Sequence, residues 1–77
     1  MARLPVISGD QFLKVVAQVG FELDRTEGSH MILVGPTGRR LTVPKHRELG
    51  RGLLRALIRD AGLSREEFVN LLRPRAH

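Results

Sequence analysis

The spacing of the apolar residues changes twice along this chain, and these changes constrain the fold more than any other feature of the sequence. Near the start, Phe12, Val15, Val16 and Val19 recur at i, i+3, i+4 and i+7, the spacing of one face of a helix. Three stretches of strand-like character follow, and the helical spacing then returns toward the end of the chain. The sequence therefore predicts the order α-β-β-β-α-α.

The predicted helices begin and end at recognisable signals. Ser8 and Ser64 each precede a Gln or Glu by three residues, which is the spacing of a capping box at a helix start. Gly20 and Gly62 fit the position just after a last helical turn. We therefore expect the first helix to run from about Gly9 to Val19. The stripes of the second and third helices are Leu53, Leu54, Leu57, Ile58 and Phe68, Leu71, Leu72, with Pro74 ending the third.

Between the helices, the sequence predicts three strands joined by turns. The stretch Phe21–Arg25 alternates apolar and charged residues, so it reads as a half-buried strand with Leu23 facing the core. Turn residues at Thr26–Ser29 separate it from His30–Gly35, which is apolar enough to be the central strand. A glycine- and proline-rich turn leads to the third strand, Arg39–Pro44. Short connections favour an antiparallel meander with the helices on one face, in the α+β class.

The chain has 77 residues and no cysteine, so one small domain over residues 1–77 must be stabilised by packing. We expect an ordered core over about residues 5–73 and a frayed tail at residues 74–77, where His77 has no role. No apolar stretch approaches the roughly 18–20 residues of a membrane span. Without a secretory signal, the expected location is the cytoplasm, with no membrane contact.

The charge is unevenly distributed along the chain. Residues 1–34 carry three basic and four acidic side chains, whereas residues 35–77 carry ten basic and four acidic side chains. Nine of those ten are arginine, the residue best suited to bidentate phosphate contacts. This favours a polyanionic partner, and a solvated surface that keeps the protein soluble is the equally weighted alternative.

Several basic residues are candidates for contacts with the phosphates of such a partner. Because Arg51 and Arg55 are four residues apart on one helix, they lie on the same face. The chain has no Trp or Tyr, and its three Phe fit the core, so we expect backbone contacts with loose sequence preference. Under the family resemblance given next, the candidate RNA-binding residues are Arg39, Arg40, Lys45, Arg47, Arg51 and Arg55. Solvated surface is the interpretation adopted for Arg59, Arg65, Arg73 and Arg75.

Several short motifs, in this order and spacing, resemble the HicA toxin family, also called the YcfA-like mRNA interferases. The resemblance extends from about Ser8 to Leu72, nearly the whole chain. It implies an αβββα fold similar to a double-stranded-RNA-binding domain. It also implies a type II toxin–antitoxin role, in which the toxin cuts mRNA and a HicB-type antitoxin inhibits it. The motifs are Gly20-Phe21, Gly28-Ser29-His30, Thr42-Val43-Pro44-x-His46, Gly52-x-Leu54-Arg55, and Ala61-Gly62-Leu63-Ser64 with Glu67-Phe68.

The resemblance implies that His30, the histidine of the Gly-Ser-His motif, is the catalytic residue. Imidazole suits ribonuclease chemistry because its ordinary pKa of about 6.5 makes both protonation states available near neutrality. Gly28 and Ser29 support His30, since a glycine lets the backbone approach a phosphate closely. His46 is the candidate second proton carrier, because an antiparallel pairing of the second and third strands would bring it to the same end. Its alternatives are a surface position or a phosphate contact.

The expected activity is a metal-independent endoribonuclease without a cofactor. The sequence offers no cluster of carboxylates for a two-metal nuclease, and no third ligand at recognisable spacing accompanies the two histidines. The expected partners are an mRNA substrate and a HicB-like antitoxin, with assembly into an oligomer through that antitoxin left open. The alternative function is a non-catalytic RNA-binding module of the double-stranded type, which the same fold would permit.

Overall fold

The computed structural model describes residues 4–73, which form three helices and one three-stranded sheet. The sheet is an antiparallel meander with strand order β1-β2-β3, so the predicted α+β class and element order are confirmed. The predicted stop at Pro74, the frayed tail and His77 lie outside the described residues. The elements are α1 (Gly9–Ala17), β1 (Glu22–Glu27), β2 (His30–Val34), β3 (Arg40–Pro44), α2 (Arg51–Asp60) and α3 (Arg65–Leu72).

The core lies between one face of the sheet and the helices. Alternate residues of the strands are buried, Met31 and Leu33 in β2 and Leu41 and Val43 in β3, so the intervening residues face away from the core. The helices contribute most of the rest of this core, including the fully buried rings of Phe12 and Phe68, which stack with centroids 5.5 Å apart, and the connecting segments add Ile7, Phe21 and Leu49. Each such ring stabilises the fold by about 1.5–3 kcal/mol through burial.

The helix ends follow the predicted signals closely. The Ser8 and Ser64 side chains each accept from a backbone amide three residues on, and both capping boxes are complete. At the end of α1, the amide of Phe21 donates to the carbonyl of Val16 at 3.2 Å, and Gly20 adopts a φ of +95°. This Schellman motif tightens the last turn, so the helix ends at Ala17 and not at the expected Val19.

Two apolar residues that the sequence assigned to the core are exposed. Leu23 is 46% exposed because β1 is an edge strand, and a bulge at Asp24 interrupts its alternation. The buried side chain on this side is Phe21, which precedes the strand. Leu53 is 39% exposed, since it lies about 100° around the helix from its buried neighbour Leu54. The prediction of a half-buried first strand was therefore wrong.

The first hairpin is tighter than predicted. Glu27 pairs directly with His30, so the turn consists of Gly28 and Ser29 alone, and Thr26 belongs to β1. Gly28 has a φ of +58°, which is the backbone conformation required at the first central position of a type II′ turn. The turn therefore fixes the register that places His30 opposite Glu27.

Helices α1 and α2 both begin at the end of the sheet where β2 starts and β3 stops. The amide of Gly9, the first residue of α1, donates to the carbonyl of His46 at 2.9 Å. At the other end, the Arg39 guanidinium donates to the carbonyl of Asp60, the last residue of α2, at 2.8 Å. The positive ends of two helix dipoles therefore lie near His30's end of the sheet. No helix within residues 4–73 has the length and apolar character needed to cross a bilayer.

Candidate active site

His30 is the first residue of the central strand, and its side chain lies on the face of the sheet that the helices leave bare. It is exposed, whereas its neighbour Met31 faces the core. Its cross-strand partners are Glu27 on β1 and Pro44 on β3. Since Pro44 has no N–H, the His30–Pro44 pair is of the type without hydrogen bonds, in which Cα atoms are only about 4.5 Å apart. The imidazole is thus open to a ligand at a rigid sheet end.

His46 lies at the same end of the sheet. The backbone amide of Lys45 donates to the carbonyl of Ser29 at 2.7 Å, which extends the β2–β3 pairing one residue beyond His30. His46 follows Lys45 and is exposed. Two residues of extended chain span at most about 7 Å, so the Cα atoms of the two histidines lie within about 12 Å of each other. Exposed side chains whose Cα atoms lie this close can approach one phosphodiester group.

The loop that carries His46 is held by the segment before α1. Besides the Gly9–His46 hydrogen bond, the amide of Leu49 donates to the carbonyl of Ile7 at 2.8 Å. Gly9 is essential for this contact, because a Cβ at Gly9 would overlap the carbonyl oxygen of Pro44. The position of His46 therefore depends on a backbone-to-backbone contact that no side-chain pattern reveals.

Three of the six candidate RNA-binding residues share this end of the molecule. Lys45 and Arg47 flank His46, and Arg51 is the first residue of α2. All three are exposed. Gly50 caps α2 without a side-chain hydrogen bond, and the first turn contains no acidic residue. The unpaired amides of that turn and the three side chains form a positively charged border beside the histidines.

The other three candidates lie elsewhere. Arg39 and Arg40 are at the opposite end of the sheet, about 13 Å from His30 along four residues of strand. Arg39 is bonded to the Asp60 carbonyl, and the Nη1 of Arg40 is 3.5 Å from the Oδ2 of Asp24. Arg55 lines a cavity between α2 and α3, on the helical side of the sheet. The structure therefore does not bring these three arginines to His30.

Glu27 is a neighbour of His30 that the sequence had placed in a turn. Directly opposed residues of an antiparallel pair have side chains on the same face, so the carboxylate and the imidazole share the bare face. The Nε of Arg25 donates to the Oε2 of Glu27 at 2.6 Å. Recognising Gly28-Ser29 as a complete two-residue turn would have identified this pair, because such a turn fixes the register.

Within residues 4–73, no three or more His, Asp or Glu side chains are grouped so that they could hold a metal ion. This end of the sheet carries the exposed imidazoles of His30 and His46, the carboxylate of Glu27 and the cations Lys45, Arg47 and Arg51.

Comparison with known proteins adds an independent finding. The sequence profile of a protein family, described as the HicA toxin of bacterial toxin–antitoxin, matches residues 9–63. The match covers more than two thirds of the chain and includes the whole sheet, both histidines and α2. No curated protein matches the chain.

Proposed function

Because the chain belongs to the HicA toxin family of bacterial toxin–antitoxin systems, we propose that it is an endoribonuclease that cleaves mRNA by histidine acid–base catalysis. We further propose that a HicB-type antitoxin neutralises it by covering the end of the sheet that carries His30. The family match supports the toxin role, and the arrangement of residues around His30 supports the chemistry.

In the proposed reaction, RNA supplies its own nucleophile. His30 takes the proton of a ribose 2′-hydroxyl, and the 2′-oxygen attacks the adjacent phosphorus. The bond between phosphorus and the 5′-oxygen breaks, leaving a 2′,3′-cyclic phosphate. The 5′-oxygen takes a proton from His46 and leaves as a hydroxyl. The two imidazoles exchange protonation states in this step, and proton exchange with water restores them before the next turnover.

The charge distribution supports one direction of approach for the RNA backbone. On the β1 side of His30 lies Glu27, and Arg25, the cation beside it, is engaged by the carboxylates of Glu27 and Asp24. On the β3 side, Lys45, Arg47 and the first turn of α2 attract phosphates and outweigh the one carboxylate of that loop, Glu48. RNA therefore crosses from the β3–α2 loop toward His30, and Gly28 and Ser29 leave room for the scissile phosphate.

The observation that carries this proposal is the hydrogen bond between Lys45 and Ser29. It joins the residue before each histidine, so the two imidazoles belong to one short stretch of paired backbone. A proton acceptor and a proton donor that act on opposite sides of one phosphate need a shared, fixed backbone to hold them in position.

The test is cleavage of a long single-stranded RNA in EDTA by wild type, His30→Ala and His30→Gln. We expect both variants to lose cleavage by a factor of about 10² or more. Thr37→Ala, an exposed change in the turn at the opposite end of the sheet, is the control and should cleave normally. All variants should melt like wild type, because both positions are exposed.

Undiminished cleavage by the His30 variants would contradict the mechanism. Absence of cleavage by wild type would favour a non-catalytic RNA-binding module, for which salt-dependent binding of duplex RNA without turnover is the expected behaviour. The antitoxin part is tested separately. Growth arrest on expression of this chain should be relieved by co-expression of an adjacent open reading frame whose product co-purifies with it.

A further inference from the structure

A small cavity on the helical side of the sheet, remote from His30, combines apolar and positively charged lining residues. It measures about 160 Å³ and lies where α2, the start of α3 and the segment before α1 meet. Its floor is apolar and its rim is made of three arginines. The lining residues are Leu4, Ile58 and Leu63 on the floor and Arg55, Arg59 and Arg65 on the rim.

The size of this cavity limits what can enter it. A benzene-binding cavity in a protein core measures about 150 Å³, so the space here suits one apolar side chain. It is too small for a nucleotide, since pockets for small molecules usually measure about 300–1,000 Å³. No aromatic residue lines it, so it offers no surface for base stacking. An amino-acid side chain therefore fits this cavity better than RNA does.

The rim carries positive charge that the described residues do not neutralise. Within residues 4–73, no carboxylate lies within ion-pair distance of Arg55, Arg59 or Arg65, and these guanidinium groups make no side-chain hydrogen bond. Arg55 and Arg59 are four residues apart on α2 and lie on the same face. Three unpaired guanidinium groups around an apolar floor are complementary to an apolar residue flanked by carboxylates.

We propose that this cavity binds an apolar side chain from an acidic segment of a protein partner, with the flanking carboxylates paired to Arg55, Arg59 and Arg65. We assign this segment to the antitoxin, an assignment that rests on the antitoxin part of the proposed function. The site lies on the opposite side of the sheet from His30, so it anchors the partner without touching the candidate catalytic residues. The proposal goes beyond the RNA-cleaving activity and does not depend on it.

The experiment uses fluorescence anisotropy with two labelled ten-residue peptides on the full chain. One peptide alternates glutamate and leucine, and the other alternates glutamate and serine. A ten-nucleotide oligouridylate serves as the competitor. The test variant is Arg59→Gln/Arg65→Gln, neither of which belongs to the proposed RNA surface. The matched control is Lys14→Gln/Arg73→Gln, which removes the same charge outside the cavity.

The proposal predicts that the glutamate–leucine peptide binds wild type and binds Arg59→Gln/Arg65→Gln about tenfold more weakly. The control variant should bind like wild type, and the glutamate–serine peptide should bind more weakly than its leucine counterpart. If the double variant melts below wild type, the single Arg65→Gln change replaces it. RNA cleavage by the test variant should be unchanged, and His30→Ala should bind the peptide normally.

Four results would overturn the proposal. No binding of the glutamate–leucine peptide to wild type would remove it outright. An equal loss in the control variant would mean that net charge, or the second cavity that Lys14 and Arg73 line, accounts for the binding. Equal binding of the two peptides would mean that the apolar floor is unused. Competition of oligouridylate with the peptide on wild type but not on Arg59→Gln/Arg65→Gln would mean that these arginines bind RNA. Each of these outcomes can be interpreted even if the protein does not cleave RNA, because the assay measures peptide binding.

Discussion

The backbone amide of Lys45 donates a 2.7 Å hydrogen bond to the carbonyl oxygen of Ser29. Each of these residues immediately precedes a histidine, so one bond couples the positions of His30 and His46. The bond lies at the end of the β2–β3 ladder, where β-sheet rigidity gives way to a loop. A second contact, from Gly9 to His46, holds the loop from the other side. The arrangement gives two exposed side chains a fixed backbone.

Replacing His46 tests whether it acts as the second proton carrier. We expect His46→Ala to lower kcat for RNA cleavage by about 10²-fold, with little change in KM, because the leaving oxygen loses its proton donor. His46→Gln should behave similarly, since glutamine cannot supply a proton. Single-turnover cleavage measures the effect. A change of less than about twofold would mean that another donor, such as water, protonates the leaving group.

Arg47→Gln and Arg40→Gln remove the same charge at opposite ends of the sheet. Arg47 is exposed beside His46, so its loss should weaken RNA binding and reduce the salt dependence by about one phosphate contact. Arg40 pairs with Asp24 away from His30, so its loss should change RNA binding little. Binding of a non-cleavable 2′-deoxy substrate across a salt series measures both. Equal losses would show that RNA senses only net charge.

Gly9 and Gly52 give a matched pair of glycine-to-alanine changes in helices. A Cβ at Gly9 would overlap the Pro44 carbonyl, so Gly9→Ala should lower the free energy of unfolding by about 1–3 kcal/mol or more. Nothing lies within 4 Å of a Cβ at Gly52, so Gly52→Ala should raise it by up to about 1 kcal/mol. Urea unfolding followed by circular dichroism measures both. Equal changes in the free energy of unfolding for the two variants would contradict the close contact between Gly9 and the Pro44 carbonyl.

Arg39 should contribute to stability and not to RNA binding. Its guanidinium donates to the Asp60 carbonyl, which ties the β2–β3 turn to the end of α2. Arg39→Gln should therefore lower the free energy of unfolding by about 1 kcal/mol and Tm by about 4–8 °C. Arg47→Gln, which removes an equal charge from an exposed loop position, is the control for thermal melting. An unchanged Tm in Arg39→Gln would show that the bond is not maintained in solution.

Much of this fold follows from signals that are local in the sequence. A helix start depends on residues three apart, as at Ser8 and Ser64, and a helix stop on one glycine with positive φ, as at Gly20. The apolar character of residues 30–34 predicted the central strand correctly. The family resemblance, carried by short motifs, is confirmed by the profile match over residues 9–63.

The sequence by itself thus determined the order and type of the elements, because caps, turns and apolar spacing act over a few residues. Only the tertiary structure decided which side chains meet. Leu23 had the pattern of a buried residue, yet it is exposed, since burial depends on what packs against a strand. Arg39 and Arg47 are both arginines near a strand end. Strand pairing and the contacts of the β3–α2 loop with the segment before α1 place Arg47 beside the histidines, and the packing of α2 on the sheet places its last residue against Arg39, because such contacts join residues that are distant along the chain.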